Sequence, residues 1–185
     1  CAEDETILMH LGFLTSEKGL SEVLTGLAAA LRMGVKAKLL LVGEGQNARD
    51  VLDAAAAIGL ADHVTATGWM PHDRFLRAPA AADLGVVLRT PSAGETSAAV
   101  IRFLACGTPV AVGGLKQFLE WPETAAPRLT PGPSASAELA RLIANAADRA
   151  GWDLRRRAAR EAYEADHRPS DTARAMMGFL ETLPV

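Results

Sequence analysis

An arginine, a carboxylate and two hydroxyls follow one another at the exit of an apolar run. Together they suit the capture of a phosphorylated, hydroxyl-rich ligand. They lie in Asp83 to Val112, DLGVVLRTPSAGETSAAVIRFLACGTPVAV, which reads strand, polar loop, helix, tight turn, strand. Arg89 leaves the first strand, and Gly94-Glu95-Thr96-Ser97 opens the helix. Ligands of an open parallel sheet bind outside the carboxyl ends of its strands. A guanidinium there offers a planar fork to phosphate oxygens. Thr96 or Ser97 caps the helix and leaves its backbone N–H groups facing an anion. Glu95 can accept hydrogen bonds from sugar hydroxyls, although a carboxylate at a helix start also simply favours the dipole.

Other groups fall at neighbouring strand exits. Lys18 stands just before a helix, where a cation opposes the positive end of the dipole unless an anion sits between them. A solvated lysine paired with Glu17 or Glu22 is the plain alternative. Gly43-Glu44-Gly45-Gln46-Asn47-Ala48 matches the loose G-x-G-x-x-A form, but it follows the second strand and lacks the acidic partner, so a tight turn is the better reading. Gly68-Trp69-Met70 leaves the third strand. The glycine lets a planar base approach the backbone, and the indole or thioether can line a pocket, with surface packing of Trp69 equally open. Arg102, seven residues after Glu95, is read as pairing with it or reaching a ligand. His10, His63, His72 and His167 have no zinc spacing and are read as structural or exposed. Arg155, Arg156, Arg157 and Arg160 are read as a solvated face balanced by Glu161 and Glu164.

The elements that must position these groups follow from periodicity. Thr6–Leu11, Lys38–Val42, Val64–Thr67, Asp83–Leu88 and Pro109–Val112 read as strands, with Arg128–Leu129 closing a sixth. Helices alternate with them over Gly19–Leu31, Ala48–Ile58, His72–Ala81, Thr96–Cys106 and Ala137–Ala150, and the tail forms two helical stretches broken at Pro169. Continuously apolar strands between helices mean a parallel sheet covered on both faces, α/β, doubly wound and Rossmann-like, with extra C-terminal helices. The division expected is a domain over 1–150 and C-terminal helices over 151–185 that pack on it and on a missing N-terminal domain. The chain has 185 residues, 49% of them hydrophobic, enough for a packed core. A net charge of -3 argues against a nucleic-acid partner. No apolar run reaches the ~20 residues of a membrane span. Cys1 and Cys106 lie far apart without metal spacing, so a reducing cytoplasmic setting is the default. The chain starts without Met, and it reads as a piece of a longer protein.

Taken together these residues resemble the nucleotide-sugar-binding C-terminal half of GT-B glycosyltransferases of the retaining group 1 type. The pieces are Gly12 with Lys18-Gly19 after strand one, LLLVGEG, Gly68-Trp69-Met70, AADLGVVLR and LACGTPVAV, in that order. The resemblance implies a nucleoside diphosphate sugar as donor and sugar transfer without a cofactor or metal. It implies an acceptor bound by an N-terminal domain that this chain lacks, and that missing half could also touch a membrane peripherally. It implies that Lys18 holds the diphosphate, that Glu95 orients the donor sugar, and that Gly68 to Met70 meet the base. Lys18, Arg89 and the N–H groups at Gly94 to Ser97 would stabilise charge on the departing diphosphate. The Gly113-Gly114-Leu115-Lys116 loop would face the cleft.

Two positions depart from the family pattern. Phe13 stands where an arginine is expected, and Arg102 stands where the second glutamate of E-x7-E belongs. Arg89, with Arg102, is read as supplying the cation lost at Phe13. A non-catalytic nucleotide or sugar-phosphate module and a sugar-nucleotide epimerase half are the alternatives. A NAD-dependent oxidoreductase is least favoured, because the first strand-to-helix turn lacks the glycine fingerprint.

Overall fold

The apolar runs become the strands of one parallel sheet in a computed structural model that describes residues 5–89 and 94–183. The strands are β1 (Thr6–Leu11), β2 (Ala37–Val42), β3 (Val64–Gly68), β4 (Leu84–Val87), β5 (Val110–Gly113) and β6 (Arg128–Leu129). The helices are α1 (Leu20–Arg32), α2 (Ala48–Ala57), α3 (His72–Arg77), α4 (Ala98–Ala105), α5 (Ala135–Ala147), α6 (Arg149–Asp166) and α7 (Pro169–Glu181). The sheet order is β3-β2-β1-β4-β5-β6. The strand order reverses between β1 and β4, which is where open α/β sheets bind their ligands. Residues 1–4, with Cys1, and residues 90–93, the Thr90 to Ala93 part of the loop after β4, lie outside the described residues, as do 184–185.

All residues of β1 and β4 are buried, as a central parallel strand requires. On one face Leu8, Leu39, Leu41 and Val86 pack against α1, α2 and α5. On the other, Ile7, Met9, Leu11 and Val87 meet α4, α6, Phe118 and Trp121. Gly26 of α1 allows a close crossing with α5, since a Cβ there would lie 2.9 Å from Leu139 Cδ2. Strand β3 differs from the expectation of continuous burial. It is an edge strand, and its residues alternate between covered and exposed.

Helix ends differ where side-chain chemistry competes with periodicity. α3 stops at Arg77 and tightens into a 3₁₀ turn over Ala78–Ala81, with Pro79 in its first turn. α4 starts at Ala98 rather than Thr96, because Ser97 accepts a hydrogen bond from the Val100 N–H and so caps the helix one position later. Pro169 occupies the first turn of α7, where its missing N–H costs nothing.

The arginines of α6 are the clearest correction. Arg155 and Arg156 are half-buried and leave the solvated face, on which Arg157 and Arg160 remain exposed. Asp83, just before β4, is buried, and its carboxylate accepts from the Ile7 N–H at 2.9 Å and from Arg149 and Arg156 at 2.8 Å each. The Trp152 indole N–H donates to the Asp83 carbonyl at 2.8 Å. Arg155 donates to the Glu123 and Thr124 carbonyls. Only Arg160 keeps the expected partner, Glu164, at 2.7 Å. Asp83 therefore ties α6 across the amino ends of β1 and β4. Asp83→Ala would strand two guanidiniums and a strand N–H. We expect a loss of about 3 kcal/mol in urea unfolding, and an unchanged midpoint would show that the clamp is idle.

Candidate functional site

One close approach builds the carboxyl edge of the sheet. Gly19 adopts a left-handed backbone (φ 59°) between a 3₁₀ turn at Ser16–Lys18 and α1. A Cβ at Gly19 would lie 2.9 Å from the Cβ of Leu88, so only glycine lets the β1–α1 loop press against the end of β4. Lys18 precedes this glycine and Arg89 follows this leucine. The two cations are thereby made neighbours at the point where strand order reverses. Partial burial and then the like charge of Arg89 push the Lys18 ammonium below its ordinary pKa, against the pull of Glu17. Arg89 forms an ion pair with Glu95, and its Nε is buried without a partner among the described residues. Lys18, Arg89 and Glu95 thus stand together, with Gly94, Glu95 and Thr96 exposed at the entry to α4 and Ser97 buried as its cap.

Arg102 goes elsewhere. Glu95 lies in the non-helical segment before Ala98, so the two-turn spacing on one helix face does not apply. The Arg102 guanidinium stands 5.5 Å from the centroid of the Phe75 ring. In this structure the guanidinium is a cation–π partner of Phe75 in α3.

Two cavities open along the carboxyl edge of the sheet. One, of about 340 Å³, lies over the ends of β1, β2 and β3 and is lined by Gly12, Phe13, Gly43, Trp69, Met70 and Phe75. Gly68 (φ 66°) makes the turn that delivers Trp69 to it. The other, of about 450 Å³, lies over β4, β5 and β6, with Glu17, Glu22, Arg89, Gly113, Leu115 and Thr130 in its walls. The glycines of Gly43-Glu44-Gly45 have a structural task. A Cβ at Gly43 would lie 2.2 Å from the Gly12 oxygen, and one at Gly45 would lie 2.3 Å from the Leu14 oxygen. They let the β2–α2 loop lie against the β1–α1 loop, where Leu14 N–H donates to the Glu44 carbonyl at 2.9 Å.

His10, near the end of β1, is the buried, structural case among the histidines read as structural or exposed. It is buried, and neither ring nitrogen completes a hydrogen bond. Burial lowers its pKa from 6.5 to about 4; the nearby backbone of Phe13 and Val86 opposes that shift and the Lys18 charge adds to it. Periodicity marks position 10 as buried, but an isolated histidine in an apolar strand carries no signal that its nitrogens stay unpaired. The unfolded chain takes its proton near 6.5 and the folded chain only near 4. Stability should therefore fall as pH drops through that window, by about 3 kcal/mol in full. His10→Phe should lack this part of the acid-side slope in urea titrations at pH 7, 5 and 4. Parallel slopes in the two proteins would refute the assignment.

Among the described residues, no three or more His, Cys, Asp or Glu side chains gather as a metal centre would require, and no helix is long and apolar enough to cross a membrane. The profile of the family described as "Glycosyl transferases group 1" matches residues 5–148. This chain belongs to that family. It is 29% identical over 147 residues to a 2-deoxystreptamine glucosyltransferase of Streptomyces kanamyceticus, covering 79% of this chain and 37% of the relative. It is 40% identical over 80 residues to a 2-deoxystreptamine N-acetyl-D-glucosaminyltransferase of Streptomyces fradiae, covering 41% and 18%. Alr3699/HepE of Anabaena, solved in complex with UDP, shares its fold with a TM-score of 0.83 at 20% identity, over 97% of this chain and 50% of that one. Sucrose-phosphate synthase of Thermosynechococcus elongatus superposes with a TM-score of 0.77 at 26% identity, over 96% and 45%. The chain thus spans at most half the length of these relatives. The group 1 glycosyltransferase likeness and the doubly wound, Rossmann-like GT-B fold expected from sequence are both found.

Proposed function

We propose that this chain is the donor-binding half of a glycosyltransferase that moves a sugar from a nucleoside diphosphate sugar to an acceptor held by another domain. The observation that carries the reading is the Lys18–Arg89 pair at the switch point. Two cations held side by side, with one countered by Glu95, fit a diphosphate better than a single charge does. They would stabilise negative charge on the departing diphosphate in place of a metal. Incoming phosphate would take Arg89 from Glu95, and the freed carboxylate would meet hydroxyls of the donor sugar. Gly113 and Leu115 line the cavity that Arg89 shares, which suits the sugar end. Gly12, Trp69 and Met70 line the cavity on the other side, which suits the base. Residues 1–150 would form the donor domain. In α7, Met176, Met177, Phe179 and Leu180 are exposed, which suits a helix that packs on the rest of a longer protein. The relatives' names support a donor and acceptor that are both sugar-like.

Lys18→Ala and Arg89→Ala should each weaken UDP or ADP binding about tenfold in calorimetry, as expected for a lost charge-assisted contact. Gly19→Ala should weaken it too without touching the ligand, because it drives the loop off Leu88. Unchanged affinity in the first two proteins removes the site. The 185-residue chain by itself should bind nucleotide and not turn over donor, and turnover by it would contradict the half-site reading. Phe13 and Arg102 favour, as a second reading, a binding module without catalysis. Transfer activity of the longer parent protein that is lost in Glu95→Gln would decide against that module.

A further inference from the structure

Phe13 and Trp69 are 69% and 71% exposed, the two most exposed large apolar side chains of the chain, and both line the same cavity. Core packing does not account for either. Phe13 rises from the end of β1 and Trp69 from the end of β3, with β2 between them. Strands spaced 4.7–4.9 Å apart put those two backbones about 10 Å from each other. That gap admits one flat ring between two aromatic side chains. The floor is bare backbone at Gly12 and Gly43, and no Cβ can be added at Gly43. Phe75 forms a further wall, with the Arg102 guanidinium 5.5 Å from its ring centroid. Lys18 follows in the same β1–α1 loop, five residues beyond Phe13.

We infer that Phe13 and Trp69 are binding residues that clamp the planar base of the donor nucleotide, so that stacking at position 13 holds the end of the ligand remote from its phosphates. The inference rests on the donor-binding reading and adds a role for Phe13 that compensates for the missing charge there. Aromatic rings stack on any base face, so the clamp grips purine and pyrimidine alike, unlike a hydrogen-bonded site.

The chain carries its own reporter. Trp121 and Trp152 are each 2% exposed, which leaves Trp69 as the one tryptophan of three that is open to solvent. Acrylamide quenching of tryptophan emission therefore reads this cavity. UDP and ADP should both shield Trp69, and inorganic pyrophosphate should not. Phe13→Ala should weaken UDP and ADP about tenfold or more and leave pyrophosphate binding as it was, while Phe13→Tyr retains wild-type affinity. Because Phe13 is exposed, its removal leaves the core intact. Equal nucleotide affinity in Phe13→Ala, or a Trp69 still fully quenchable at saturating UDP, overturns the clamp. Nucleotides that bind no tighter than pyrophosphate also overturn it while leaving the diphosphate site standing. Failure of UDP, ADP and pyrophosphate alike to bind the wild-type chain sinks the donor-binding reading itself.

Discussion

The contact between Gly19 and Leu88 governs the arrangement of this molecule's carboxyl edge. A hydrogen in place of a methyl lets the loop after β1 lie on the end of β4. The placing of the two cations is a consequence of that proximity. Lys18 and Arg89 become neighbours because each is one residue from the contact. Burial first, and then the like charge of Arg89, lower the Lys18 pKa, and an anion between the two cations would relieve that repulsion. Glu95 answers part of it by pairing with Arg89. The result is a pair of cations assembled from two segments that are distant in the chain and adjacent only in the sheet.

The opposite edge does different work. Asp83 gathers Ile7, Arg149, Arg156 and, through its carbonyl, Trp152. This closes the amino ends of β1 and β4 beneath α6. The same two central strands are therefore braced at one end and open at the other. A buried carboxylate with several donors is tolerable where no ligand must enter. Such a division suits an open α/β sheet, in which conserved space is needed at one edge only.

Between these edges the two departures from the family pattern acquire a shared location. Phe13 and the Arg102-supported Phe75 line one cavity, over β1 to β3. The polar cavity over β4 to β6 carries Glu17, Glu22 and Arg89. The first cavity carries the exposed aromatic rings, and the second carries Arg89. A ligand with a flat ring, a diphosphate and a polyhydroxylated ring, in that order, matches this sequence of environments.

Order and type of elements were legible in the residues alone. Thr6–Leu11 has the bounds read from its apolar run, because burial on both faces leaves a continuous signal. The group 1 resemblance was equally legible, since Gly107-Thr108-Pro109 and its companions keep their order. What folding alone decided were the pairings. Arg102 meets Phe75 rather than Glu95, the α6 arginines meet Asp83 and main-chain carbonyls, and His10 sits buried with bare nitrogens. Periodicity reports which side of an element faces inward. Partners across the sheet depend on strand order and on a few close glycine contacts, and those are set by packing between segments that no local pattern records.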